Sequence, residues 1–357
     1  MTDTTVAVIG AGLAGLNAAR LLHRAGVDFH LFEARDRVGG RILTVDETDA
    51  LAEDGFDLGP SWFWPQMHPV MGKLVEELGL PFFQQHSTGD MVFERTSREN
   101  PQRVPGFVQE PSSMRLAGGT AALVRALMCD LPLDRLHFST PVTALRLMGE
   151  RVEIMASDRP VTASHVIAAL PPRLFAQKVS LHPALVSRDL SRWQATATWM
   201  APHAKIFALY DRPFWRDLGL SGMAQSMVGP LVEIHDATTA SGKAALFGFV
   251  GVPAANRVTL GDEALIHAAI QQLTRLFGSE AGSPRATLIK DWAQDPWTAT
   301  NADAVSSAHP AAQTGEWVTG AWHGRLFMAG SEASPSDPGY LAGAIEASQK
   351  AVLSICE

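Results

Sequence analysis

Near its start the chain runs Val6-Ala-Val-Ile-Gly10-Ala-Gly12-Leu-Ala-Gly15 and continues into Leu-Asn-Ala-Ala-Arg-Leu-Leu. Three glycines in G-x-G-x-x-G spacing lie between an apolar strand and a helix. A second apolar strand then ends on Glu33, about 20 residues further on. Few folds need that combination. Gly10 permits the tight strand-to-helix turn. Gly12 leaves the backbone open to a pyrophosphate, and Gly15 lets helix and strand pack closely. The helix start offers N–H groups and partial positive charge to phosphate, and Glu33 is placed to accept from ribose hydroxyls. A parallel βαβ unit holding a dinucleotide is the reading these residues carry.

The rest of the composition narrows the class. With 357 residues, 46% of them hydrophobic, the chain can bury a large core and suggests about two domains. A net charge of −8 argues against nucleic acid as a partner. Only Cys129 and Cys356 carry thiols, so no disulfide framework or cysteine metal site is expected. His165, His182 and His203 lack metal-ligand spacing. No G-x-S-x-G nucleophile elbow is present. The N-terminus has no leader pattern and no apolar run reaches membrane-spanning length, so a cytoplasmic protein without membrane contact is expected.

Further along, residues 68–79 and 118–131 read as helices, and 136–140, 143–148, 151–157 and 161–170 as strands. Residues 81–115 read as irregular. Residues 204–251 hold alternating strand patterns, 262–278 a helix, 324–330 a strand and 340–355 a C-terminal helix. The mixture predicts an α/β protein. The nucleotide-binding signals lie at both chain ends, which predicts a discontinuous Rossmann-like cofactor domain over 1–80, 116–175 and 293–357. An α+β substrate domain over 81–115 and 176–292 is inserted in it.

Beyond the glycine loop the chain carries EARDRVGGR (33–41), DLGPSW (57–62), GGTAALVRAL (118–127), STPVTAL (139–145), VIAALPP (166–172), KIFALYDRPFW (205–215), WAQDPW (292–297), GRLFMAGSEAS (324–334) and DPGYLAGAIEASQKA (337–351). In this order they resemble the flavin-containing amine oxidases, the monoamine and polyamine oxidase group, over nearly the whole chain. The resemblance implies a glutathione-reductase-like FAD domain, oxidation of an amine by hydride transfer to the flavin, hydrolysis of the imine, and reoxidation by dioxygen to peroxide. It implies that Gly10, Gly12 and Gly15 cradle the pyrophosphate and Glu33 the adenosine ribose. Arg35 and Arg41 would lie on the ribose–phosphate side, with Gly39 and Gly40 passing close to FAD. Val142 would meet the adenine, Ser331 and Glu332 the ribityl chain and phosphates, and Trp62 the flavin ring. Lys205 would hold a water against the flavin, and Tyr340 would form one wall of an aromatic cage; these two are the implied catalytic residues. Trp292 and Trp297 would fall near the substrate.

Three departures stand out. Ala302 occupies the place of the second cage wall, leaving Trp297 or Trp322 to fill it. Asn301 stands where some members carry a cysteine for covalent flavin, so noncovalent FAD is expected. The segment 81–117 is shorter than in typical members. Two other functions remain compatible with these residues: flavin-dependent desaturation or dehydrogenation of a non-amine, and a flavoprotein without turnover.

Overall fold

A computed structural model describes residues 2–107, 110–156, 160–305 and 309–356. The strand Thr2–Ile9 lies inside an eight-stranded sheet, parallel to Phe29–Phe32 on one side and to Val161–Ala168 on the other. Between the first two strands runs the helix Leu13–Arg24, which ends before Gly26 at φ +69°. A parallel pair joined through a helix is the crossover expected for such a unit. Leu326–Met328 pairs in parallel with Val161–Ala168, so the C-terminal part of the chain rejoins the N-terminal sheet. The last helix, Leu341–Cys356, packs on the first, and Asn17 donates to Ser348 Oγ at 2.8 Å inside that contact. Two apolar clusters cover the faces of this sheet, one holding Leu16, Leu31 and Ile345, the other Ile154, Phe175 and Trp193.

A second, seven-stranded sheet runs in the order Ala286–Asp291, Ala204–Tyr210, Ala244–Val250, Leu231–Asp236, Leu220–Ser226, Asp90–Glu94, Gln102–Val104. Its helix, Asp262–Phe277, covers one face through Leu265, Ala269, Leu273 and Leu276. Side chains alternate along a strand. Ile206, Ala208 and Tyr210 therefore share the helix face, while Phe207 and Leu209 join Val45, Phe56 and Leu58 on the other. Lys205 has the parity of Phe207. The alternation turns it toward the loop 56–61 and away from the helix.

The structure corrects the sequence reading in two places. Residues 81–115 are not irregular: they supply the two outermost strands of the second sheet and the strands Phe82–Gln84 and Met114–Leu116. These strands are short, and two of them sit at an edge, so no long apolar period marks them. Residues 176–195 pack with the first sheet instead of the second. Ser180–His182 pairs with Val142–Met148, and Trp193, on the helix Ser187–Ala195, is fully buried there with its indole donating to Trp317 O at 2.9 Å. That pairing is long-range and leaves no local signal.

Candidate active site

One continuous cleft of about 380 Å³ starts at the glycine loop and reaches the second sheet. At one end its walls are backbone. Gly10, at φ +99°, and Gly12 line it, as do Gly39 at φ +99° and Gly40 at φ +58°. The two glycine pairs interlock: Gly12 bridges Gly39, and a Cβ on Gly40 would stand 3.3 Å from Gly12 Cα. Gly15 is behind the wall, where a Cβ would meet Gly10 O at 1.8 Å, so its contribution is packing. No side chain caps the helix at Gly12, which leaves its first turn facing the cleft.

Glu33, buried, accepts from Ala11 N at 2.7 Å and Arg35 N at 2.9 Å, one bond to each oxygen. Each oxygen keeps a lone pair for a ribose hydroxyl. Val142 lines the same end together with Thr140 and Pro141. Glycine walls, an open helix start and a buried carboxylate fit a dinucleotide.

Both cleft arginines are already partnered by carboxylates. Arg35 donates to Asp295 Oδ1 at 2.6 Å and Thr298 Oγ1 at 3.0 Å. Arg41 makes a forked pair with Glu332 at 2.6 and 3.1 Å and donates to Ser331 Oγ at 3.1 Å and Trp199 O at 2.9 Å. Glu332 itself is buried and does not line the cleft, unlike Ser331; its expected place beside the cofactor is corrected to a support for Arg41. Arg37 turns back to the carbonyls of Val38 and Gly40 and braces the double-glycine turn.

The opposite end is aromatic. Trp62, Trp64, Trp199, Phe249 and Tyr340 line it with Met200 and Lys205. Trp64 stands perpendicular to Tyr340 with centroids 6.3 Å apart, and His309 and His68 flank the tyrosine at 4.9 and 5.1 Å. His309 also meets Trp199 at 4.4 Å. Trp64 meets Tyr340 directly, and Trp199 reaches it through His309. Neither came out of the sequence reading, although Trp64 is two residues from Trp62 and so was within reach of it.

Four residues expected at this end lie elsewhere. Trp292 is fully buried outside the cleft, its indole donating to Leu58 O at 3.0 Å. Ala302 is exposed on a turn and lines nothing. Trp297 does line the cleft, but beside Thr298, Lys178 and Arg35 at the glycine end, with the Lys178 ammonium 5.2 Å over its ring. Trp322, the other expected wall, is buried with its indole donating to Pro183 O at 2.8 Å. The turn after Trp292 heads back toward Arg35, and the Asp295–Arg35 pair fixes that direction.

Lys205 is buried at the junction of the sheets. Its Nζ donates to Gly59 O at 2.5 Å, Ser61 Oγ at 3.0 Å and Asp57 O at 3.3 Å, between the rings of Phe247 and Phe249 at 4.8 and 5.3 Å. Burial pulls its pKa down to about 7; the Asp57 charge works against that fall and the Arg115 charge adds to it. At neutral pH this amine can both give and take a proton. Among the described residues no group of His, Cys, Asp or Glu is placed to hold a metal ion, and no helix is long and apolar enough to cross a membrane.

Comparison with known proteins agrees with this geometry. A profile of the flavin containing amine oxidoreductases matches residues 13–111 and 106–356. The chain is 24% identical to a putrescine oxidase of Kocuria rosea over 83% of each chain. It is 23% identical to a probable flavin-containing monoamine oxidase A of Dictyostelium discoideum over 96% of this chain and 95% of that one. Among solved structures, wild-type putrescine oxidase bound to putrescine superposes with a TM-score of 0.83 at 21% identity, covering 99% of both chains. Cyclohexylamine oxidase from Brevibacterium oxydans IH-35A gives 0.81 at 21% identity, covering 99% of this chain and 98% of that one.

Proposed function

Because this chain belongs to the family of flavin-containing amine oxidoreductases, enzymes whose cofactor is FAD, we propose that it oxidises an amine to an imine at the aromatic end of its cleft. Dioxygen is the final electron acceptor. The carrying observation is the single cleft, glycine-walled at one end and aromatic at the other, with Lys205 lining the aromatic end.

FAD bound there without a covalent link would accept a hydride, and with it two electrons, from the carbon next to nitrogen, while the nitrogen loses a proton. The chain's own groups do the rest. Gly10, Gly12, Gly39 and Gly40 admit the pyrophosphate, and Glu33 holds the ribose. Arg41 presents its planar edge to the cleft, kept in place by Glu332. Trp64, Trp199 and Tyr340 enclose the amine; their faces attract a cationic nitrogen and orient it. The apolar lining disfavours a buried ammonium and so favours the neutral amine, which has the lone pair the reaction needs. Lys205, its three bonds donated to Gly59 O, Ser61 Oγ and Asp57 O, can accept or release a proton near neutral pH. Water entering the cleft hydrolyses the imine to a carbonyl compound and an amine.

Anaerobic mixing of the yellow protein with a panel of amines tests this. Bleaching of the visible flavin band by one class of amine, with peroxide formed on admitting air, is the expected result. A flavin that dithionite reduces but no amine bleaches overturns it, in favour of a non-amine substrate or a flavoprotein without turnover.

A further inference from the structure

Trp297 is a large apolar side chain that the core does not take up. It is half-buried and belongs to none of the apolar clusters among the described residues. Trp193, Trp292 and Trp322, by contrast, are buried, and each indole donates to a main-chain carbonyl. A tryptophan left out of the core needs another reason for its place. Its ring lines the glycine end of the cleft, and over its face stands the ammonium of the exposed Lys178, 5.2 Å from the centroid.

The main chain that carries this ring is tied to the ribose carboxylate. Trp297 N donates to Asp295 Oδ1 at 3.0 Å, and the same oxygen accepts from Arg35 Nη2 at 2.6 Å. Arg35 also donates to Thr298 Oγ1 at 3.0 Å, and its main-chain N–H donates to the Glu33 carboxylate at 2.9 Å. Lys290 donates to the second oxygen of Asp295 at 3.3 Å. Hydrogen bonds thus pin the turn 295–298 to the segment 33–35. Thr140 N donates to the Glu33 carbonyl at 2.8 Å, which brings Pro141 and Val142 to the same end of the cleft.

We propose that the Trp297 indole is a stacking face for the adenine of FAD, and that it sets the preference of the site for the adenine dinucleotide over FMN, which lacks the adenylate half. This rests on the reading of the glycine end as the seat of FAD and is independent of what the aromatic end oxidises. Gly10, Gly12, Gly39 and Gly40 offer backbone to the phosphates, and Glu33 offers its oxygens to the ribose. Recognition of the base therefore falls to the surfaces beyond Glu33. A base stacked on an aromatic side chain gains more than an exposed ammonium does over the same ring. Adenine entering the cleft displaces Lys178 from the indole, and the lysine returns to solvent at little cost. A ring on a pinned turn also loses little freedom when the base arrives.

Equilibrium dialysis of the full chain, stripped of flavin, against FAD and against FMN tests this without substrate or turnover. In Trp297→Leu the FAD dissociation constant is expected to rise about 5- to 150-fold, the range for one base stacked on an aromatic ring, while that for FMN stays unchanged. Trp297→Phe, with a smaller face, is expected to fall between the parent and Trp297→Leu. An FAD constant that Trp297→Leu does not move overturns the proposal. So does an equal loss for FAD and FMN, the mark of a loosened cleft. Glu33→Ala separates the proposal from the reading beneath it. FAD weakened by Glu33→Ala but not by Trp297→Leu leaves the cofactor seat standing and removes Trp297 alone. FAD unmoved by Glu33→Ala overturns the seat and the proposal with it. Trp297→Met carries the same comparison should Trp297→Leu fail to fold.

Discussion

At the scale of single residues, Lys205 sits in an environment far from what its side chain prefers. Its pKa is about 7 in the folded chain against an ordinary 10.5. Between these values the folded protein binds fewer protons than the unfolded one, so stability rises as pH climbs from about 7 toward 10. The gain is on the order of a few kcal/mol. Lys205→Met is expected to flatten that rise; denaturant midpoints of both proteins across this range check it, and parallel curves would show that the slope comes from elsewhere. The residue was legible in the sequence only through its flanking motif, since a lysine on an apolar strand is otherwise read as reaching solvent. Trp64 and Trp199 were not legible in that way. Each acquires its place from a neighbour distant in the chain: Tyr340 for Trp64, His309 for Trp199.

At the scale of elements, the glycine loop shows how strictly a strand–turn–helix can be specified. A Cβ on Gly15 would stand 1.8 Å from the carbonyl oxygen of Gly10, which is backbone and cannot move aside. Gly15→Ala is therefore expected to cost about 3 kcal/mol or more and to abolish flavin retention, read by thermal melting and by the flavin-to-protein absorbance ratio. Gly26, at the far end of the same helix, has nothing within 4 Å of a Cβ and only a positive φ of +69° to protect. Gly26→Ala should lose about 1 kcal/mol, the cost of a side chain in the left-handed region, with flavin content unchanged. Retention of flavin by Gly15→Ala would contradict the packing argument. The strands and helices of this unit followed from apolar period and glycine spacing because their information is local. The short strands within 81–115, and Ser180–His182, did not, because pairing to a distant edge is what makes them strands.

At the scale of the whole molecule, both chain ends build one sheet, with the C-terminal helix packed on the first and the intervening sheet brought up against the loop 43–63. The two cysteines, Cys129 and Cys356, are exposed and line no part of the cleft. Acid precipitation is accordingly expected to release all the yellow colour into the supernatant; colour kept in the pellet would mean a covalent flavin. By itself, the sequence determined that Gly10 and Gly12 stand at a strand–turn–helix with Glu33 ending the next strand, that the protein is α/β, and that its last strand and helix return to the N-terminal sheet. Those features depend on spacing within a few residues of one another, or on a run of motifs in order. Only the tertiary structure decided the reacting end. It put Trp297 beside Arg35, left Ala302 on the surface, sank Trp292 into the core, and set Trp64 against Tyr340 and Trp199 against His309. It also set Lys205 over the Asp57 turn. The reason is physical: the parity of a strand and the direction of a turn settle which side chains meet, and both are fixed by contacts between segments more than a hundred residues apart.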